Sequence, residues 1–285
     1  MSLLEKPLGS LSALVRPKTP GQKKRTFHSH HLNRELTLRV FLPPDYALRS
    51  GKRYPLLLLN DGQDLERMEF ASVLEQLYRK NEIPFLIVVG IDANEERIRE
   101  YGTAREADYK GRGNKAPAFR NFIMLELLPW LYKQYRINGT TSETAYAGFS
   151  LGGLSALDTA WAFPELFGVA GVFSGALWWR WSPVDPANPD ADRIMHDIVE
   201  QATDRPNNQR FWFQTGTNDE DSDRNNNGVI DSIDDTLHLL DAMRKQGYSE
   251  EQLAYYEMEG GEHNPRTWGK AMPHFLKWAF GKKAD

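Results

Sequence analysis

Hydrophobic positions along the chain change period repeatedly, and each change marks an element. Leu36, Leu38, Val40 and Leu42 alternate with Thr37, Arg39 and Phe41, the period-two pattern of a half-buried strand. This predicts a strand over Glu35–Leu42, paired with one over Arg25–His31 and ended by Pro43-Pro44-Asp45. Residues 1–24 show no period and predict an irregular arm. Tyr54–Leu59 is a continuous apolar run stopped by Asn60-Asp61-Gly62, which suits a strand buried on both faces. Beyond it, helical periods are predicted over Leu65–Lys80, Phe119–Tyr135, Leu151–Ala162, Asp235–Gln246 and Thr267–Phe280. Strands are predicted over Pro84–Ile91, Glu143–Ala147, Phe167–Phe173, Arg210–Gln214 and Leu253–Met258, and a long polar loop over Asp92–Ala118. Strands alternating with helices predict a single α/β domain over residues 25–285, a mostly parallel twisted sheet with helices on both faces. Ligands of such a sheet bind at the carboxyl ends of its strands.

Composition narrows the functional classes. The 285 residues carry 35 Lys and Arg against 39 Asp and Glu, a net charge of −4, which gives no field for gripping a nucleic-acid backbone. Aromatic residues at 12% supply ample core material and exclude a disordered chain. The longest apolar runs, at Leu56–Leu59 and Ile87–Ile91, fall far short of the ~20 residues that cross a bilayer, so no membrane partner is expected. The absence of cysteine excludes disulfides, thiol chemistry and Cys-ligated metals. Met1-Ser2-Leu3-Leu4-Glu5-Lys6-Pro7 lacks the basic-then-apolar pattern of a signal peptide. The compartment stays open between the cytoplasm and, if a leader was removed, the periplasm or exterior. Oligomeric state is not legible.

Gly148-Phe149-Ser150-Leu151-Gly152 is a G-x-S-x-G sequence between an apolar strand and a helical segment, the context in which this motif presents a nucleophile. A serine on a tight strand-to-helix turn has strained backbone angles, and only small residues two before and two after it avoid collision. The base and acid that activate a serine follow it in the chain on this kind of sheet, in the order serine, acid, histidine. Of seven histidines, His28, His30 and His31 precede the core sheet, His196 and His238 lie in helix or loop regions, and His274 falls inside the last helix. His263 alone follows a late strand, in Gly260-Gly261-Glu262-His263-Asn264. The acid is expected after Arg210–Gln214, as Asp219 with Glu220 second. Two donors for an oxyanion are expected in the backbone N–H groups of Leu151 and Gln63.

Four stretches carry a family likeness: Leu57-Leu58-Leu59-Asn60-Asp61-Gly62, Tyr146 to Gly153, Gly216-Thr217-Asn218-Asp219, and Gly260-Gly261-Glu262-His263 followed by Trp268. In this order they resemble the putative-esterase family of α/β-hydrolases, which includes enterochelin (siderophore) esterases, feruloyl esterases, S-formylglutathione hydrolases and mycolyltransferases. The resemblance covers roughly residues 36–280. It implies the same triad of Ser150, His263 and Asp219 and the same oxyanion donors, with a small-molecule ester as substrate and no cofactor for catalysis. It does not supply the substrate. Ester hydrolysis is the expected reaction; acyl transfer at the same site, or a binding module on a hydrolase sheet, are the alternatives.

Three further features carry expectations. Asp223 to Asp234 matches a calcium loop, with Asp223, Asn225 and Asn227 at positions one, three and five, Gly228 at six, and the Val229 carbonyl at seven. Asp231 falls at nine, and Asp234 stands at twelve, where glutamate is usual. A structural Ca2+ pinning the Asp219 loop is expected there, against an Asn-rich loop held only by local turns. Trp178 and Trp179, with Trp181, are expected to open near Ser150 and stack on a substrate ring, or else to pack the loop onto the core. In Asp92–Ala118, Arg97, Arg99, Arg105, Lys110, Arg112 and Lys115 are interspersed with acids and read as a solvated mixed-charge loop rather than an anion site.

Overall fold

The computed structural model describes residues 19–203 and 208–281. Its strands are β1 (Gly21–Ser29), β2 (Arg34–Leu42), β3 (Leu56–Asn60), β4 (Ile87–Ile91), β5 (Thr144–Phe149), β6 (Val169–Phe173), β7 (Arg210–Asn218) and β8 (Leu253–Glu262). The helices are α1 (Phe70–Lys80), α2 (Arg97–Glu100), α3 (Ala116–Asn121), α4 (Leu128–Gln134), α5 (Leu151–Ala162), α6 (Ile194–Glu200), α7 (Asp231–Lys245) and α8 (Pro265–Phe280). The strands make one sheet in the order β1-β2-β4-β3-β5-β6-β7-β8. β1, β2 and β4 pair antiparallel, and every pairing from β4 through β8 is parallel. This is the α/β-hydrolase architecture that the alternating pattern predicts.

The two faces of the sheet are packed separately. Leu56 and Leu58 of β3 enter one apolar cluster with α5, while Leu57 and Leu59 enter the other with α1 and α8. Successive side chains of a strand point to opposite faces, so a strand covered by helices on both sides must be apolar at every position. That is why Tyr54–Leu59 lacks alternation. Among the described residues no helix is long and apolar enough to cross a membrane.

Several elements differ from the pattern reading: α2 and α6 fall in stretches without a helical period, β7 and β8 run on to Asn218 and Glu262, α7 begins at Asp231, and three further differences have local reasons. β1 begins at Gly21, so residues 21–24 belong to the sheet rather than to the arm, whose residues 1–18 lie outside the described residues. The helix expected from Leu65 begins instead at Phe70, after a 3-10 turn over Gly62–Leu65, with Glu69 in the left-handed region at φ 53°. The helix expected over Phe119–Tyr135 is interrupted by a π-helical segment at Phe122–Leu127, directly before α4. Pro129 has no N–H to give and crowds the carbonyl four residues back, which forces the ladder to shift.

Asp158, on the buried face of α5, accepts a hydrogen bond from the Ala104 amide at 2.9 Å and so ties the post-β4 loop to this helix. Burial pushes its carboxyl up from 3.8 to about 6, against the Ala104 N–H and the more distant Arg120. Below about pH 4 the proton is held in folded and unfolded chains alike. Through the interval from 3.8 to about 6 the folded chain alone holds it, so stability falls as pH rises. The full penalty above that interval is on the order of 3 kcal/mol. Asp158→Asn keeps an oxygen for Ala104 and should therefore raise Tm above pH 6 but not near pH 4. Thermal melts across this range giving a constant difference would disprove the account.

Candidate active site

The turn at Ser150 is built by collision avoidance. Ser150 has φ 54° and ψ −123°, a conformation strained for any side chain. A Cβ on Gly148 would strike the Gly152 carbonyl and approach the Gly153 nitrogen to 2.9 Å, and one on Gly152 would strike an Asp61 carboxylate oxygen. The small residues around Ser150 are thus steric requirements of the turn. The Ser150 amide donates to the Phe173 carbonyl at 2.8 Å, and Asn60 donates to the Gly152 carbonyl at 2.8 Å while accepting from the Tyr146 hydroxyl.

Sheet register brings Asp219 and His263 together. β7 and β8 pair through Asn218 and Glu262, so the next residues, Asp219 and His263, leave neighbouring strands side by side. To reach that pairing β8 takes four residues from Met258 where β7 takes two from Gly216, an irregularity absorbed at Gly260 with φ 64°. His263 then sits on a turn fixed by Asn264, whose side chain caps α8 by accepting from the Thr267 amide at 3.0 Å. Glu220, the second choice of acid, is raised in pKa by burial and by the nearby Asp231, Asp235 and Asp219 carboxylates, against a hydrogen bond from the Ser232 amide.

Trp268 connects these pieces. Its ring stacks on Phe149, the neighbour of Ser150, at 5.1 Å, and meets the His263 ring edge-on at 5.4 Å. Its indole nitrogen donates to the Ser174 hydroxyl at 2.9 Å. One side chain thereby links the ends of β5, β6 and β8. The charge states follow from this packing. Burial raises the Asp219 carboxyl, opposed by the Gly216 amide at 3.0 Å, the Ser174 hydroxyl and the field of His263. Its other oxygen, Oδ1, is buried with no hydrogen-bond partner among the described residues. The protein packed around one side of His263 lowers its pKa; Asp219 works against this and Arg97 reinforces it.

Leu151 is the first residue of α5 and Gln63 the second of the 3-10 turn, positions whose amides have no intrahelical acceptor. What joins the two segments is an ion pair that the residue pattern does not reveal. Arg97, at the start of α2, donates to both Asp61 oxygens at 2.6 and 2.9 Å and to the Phe149 carbonyl at 3.2 Å. Asp61 is 1% exposed, and burial works against the Arg97 charge until the Asp61 carboxylate outweighs it and raises the guanidinium pKa. Arg97 is therefore not part of a solvated mixed-charge loop. Nothing in its sequence surroundings marks it, because its partner lies 36 positions away.

The family model described as Putative esterase matches residues 29–279. The chain belongs to this family. It is a carboxylic ester hydrolase. It is 24% identical to YbbA of Bacillus subtilis (strain 168) over 259 residues, 88% of this chain and 94% of that one. It is 28% identical to the iron(III) enterobactin esterase of Escherichia coli (strain K12) over 60% of this chain, spanning only 43% of that longer protein. A solved ferulic acid esterase superposes with a TM-score of 0.71 at 21% identity, covering 92% of this chain and 98% of its own. That likeness concerns the fold.

The remaining expected residues divide. Trp178 is half-buried, but Trp179 is wholly buried against Gly102 and Gly113, which corrects its expected role in stacking on a substrate. In the Asn-rich loop, Asp223 accepts from the Asn227 and Gly228 amides, Asn227 accepts from Val229, and Asn225 touches Asp234 at 2.9 Å. Gly228 has the positive φ, 84°, that the sixth position demands. Carboxylates of Asp234 and Asp190 come within 4.8 Å of each other and of a His238 nitrogen, a group that does not include Asp223.

Proposed function

We propose that the ester hydrolase of this family works here through Ser150, His263 and Asp219 and an acyl-enzyme. The observation that carries this reading is the pairing of Asn218 with Glu262, which sets Asp219 beside His263 at the sheet end where Ser150 turns out of β5. The vacant Asp219 Oδ1 suits an imidazole N–H, which would hold the ring in the tautomer whose other nitrogen accepts a proton. His263 takes the Ser150 proton as Oγ bonds to the ester carbonyl carbon, and the Leu151 and Gln63 amides receive the oxyanion. The carbon–alkoxy bond then breaks and His263 returns the proton to the leaving alcohol. Water attacks the acyl-enzyme with His263 again as base, releasing the acid and restoring Ser150. Aryl, feruloyl or siderophore esters are the proposed substrates, in keeping with the names of the enterobactin and ferulic acid esterases it is similar to.

A fluorophosphonate probe tests this directly. One covalent label on Ser150, with loss of nitrophenyl-ester hydrolysis in proportion to labelling, is the expected result. Hydrolysis that survives stoichiometric labelling would refute the nucleophile, and absence of both labelling and hydrolysis would favour a binding module.

The loop of Asp223, Asn225, Asn227, Val229 and Asp234 we read as a structural calcium site, supported by Gly228 in the left-handed region and by the Asp223, Asn225 and Asn227 side-chain oxygens drawn onto the loop's own amides. Calcium at about a hundred times its Kd should add about 2.7 kcal/mol of stability. A melting temperature indifferent to calcium and to chelator removes the site.

A further inference from the structure

A second concavity lies at the carboxyl end of the sheet. Its wall includes Tyr109, Lys110 and Arg112 after β4, Trp178 and Arg180 after β6, and Arg224 after β7 with Asp231 at the start of α7, whose carboxylate is paired to Arg224 at 3.3 Å. At about 260 Å3 it is smaller than the ~300–1,000 Å3 of pockets that hold a whole ligand, and its size suits one ring-bearing group of a larger molecule. It is close to the nucleophile along the chain. Ala176 donates its amide to the Ser150 carbonyl at 3.2 Å, and Trp178 follows two residues later, at most about 7 Å of extended chain.

The cations of this wall are not equally compensated. Arg224 is held by Asp190, Asp231 and Asp235, and Arg112 by Asp108. Arg180 is only 4% exposed and has no carboxylate within ion-pair distance among the described residues. It donates Nε to the Trp178 carbonyl at 3.2 Å and Nη1 to the Pro189 carbonyl at 3.1 Å, and Nη2 has no acceptor among the described residues. Burial lowers its pKa, as do Arg224 and Arg193, while Asp235 and Asp190 act in the opposite sense. Among the described residues the Lys110 ammonium meets only the Tyr109 ring, at 5.4 Å. A buried guanidinium with carboxylates near it but no direct ion pair is costly, and its remaining Nη2 donor can meet a carboxylate oxygen. The aromatic part of the wall is exposed to the same space, with Arg112 already 4.7 Å from the Trp178 ring centre.

We propose that this cavity binds a carboxylate-bearing aromatic ring of the substrate, with Arg180 and Lys110 as its ion partners and Trp178 beside the ring. The inference rests on hydrolysis at Ser150, since it assigns the acyl group that the reaction selects. A pair of nitrophenyl esters, of benzoic acid and of 4-carboxybenzoic acid, isolates the charge. The expected ratio of their kcat/KM values favours the carboxylate ester by about tenfold or more. That ratio should fall toward one in Lys110→Ala and in Arg180→Gln, and shrink as salt rises from about 50 to about 500 mM. Equal kcat/KM for the two esters, or a preference that survives Lys110→Ala and high salt, overturns the proposal while leaving the hydrolase reading intact. If neither ester is hydrolysed, that reading fails, and calorimetry with terephthalate tests the cavity alone. Binding that Lys110→Ala weakens supports it, and absence of binding ends it.

Discussion

Replacing Ser150 by alanine should lower kcat by about 10⁴-fold or more without lowering the melting temperature. The loss is large because no other group in the proposed cycle forms the acyl bond, and the remaining donors stabilise an intermediate that no longer forms. Stability should be spared because the Ser150 hydroxyl makes no hydrogen bond with the described residues, so its removal strands no partner. The backbone at φ 54° and ψ −123° costs ~1–3 kcal/mol for any residue with a Cβ. Ser150→Gly should therefore melt higher than both Ser150→Ala and the parent while remaining inactive. Kinetics on a nitrophenyl ester and three melting curves check both halves. A Ser150→Ala protein of ordinary activity would end the triad reading, and a Ser150→Gly protein no more stable than the parent would end the strain argument.

The second large effect is expected at Arg97. Arg97→Ala leaves the buried Asp61 carboxylate without its counter-charge, with only the Gln63 side-chain amide among the described residues still donating to it at 3.3 Å, which should cost ~3–5 kcal/mol of stability. It also frees the Asp61–Gln63 turn from the Phe149 carbonyl, and displacing the Gln63 amide proposed to receive the oxyanion should cost kcat about 10²-fold or more. Stability and positioning are separated by the double change Arg97→Gln with Asp61→Asn, which removes both charges. It should recover much of the melting temperature and little of the kcat. The pH profile supplies a readout that folding alone does not move. In the proposed cycle His263 must be neutral to accept a proton, and its pKa is held below the ordinary 6.5, so the acid limb of kcat/KM in the parent should lie below pH 6.5. Arg97 is one cause of that depression, so both Arg97 variants should move the acid limb to higher pH. Asp219→Asn removes the opposing influence and should move it lower. An acid limb that stays in place in the double variant would show that Arg97 acts only as a structural tie.

Much of the fold was legible because burial writes itself into apolar spacing. The limits of α5, Leu151–Ala162, follow from a helix that is apolar nearly all round because it lies between the sheet and the post-β4 loop. The turn at Ser150 was readable for a steric reason, since Gly148 and Gly152 are forced by contacts two residues from the serine. What escaped depends on partners distant in the chain. Asp219 ranks above Glu220 on its place in the loop alone, and the physical basis for separating these adjacent acids, the register of β7 on β8, is not visible in the loop sequence. Trp178 and Trp179 are likewise neighbours with opposite fates, decided by Gly102 and Gly113 making room for the second ring. Arg97 reads as one more charge in a polar stretch until Asp61 is seen beneath it. Helix α6, with the buried His196, lies in a stretch of mixed composition that shows no clear period.

The uneven count of residues where β8 runs beside β7 has a consequence for how this chain tolerates changes in length. Each strand residue advances the chain about 3.3 Å and turns the next side chain to the opposite face. Deleting one residue of Gly260-Gly261 would present His263 to the wrong side of the sheet. Deleting two would restore its side but set it about 6–7 Å out of step with Asp219. Insertions after β4 or β6 face no such constraint, so variation in those loops can reshape what the enzyme accepts while this short stretch keeps its chain length.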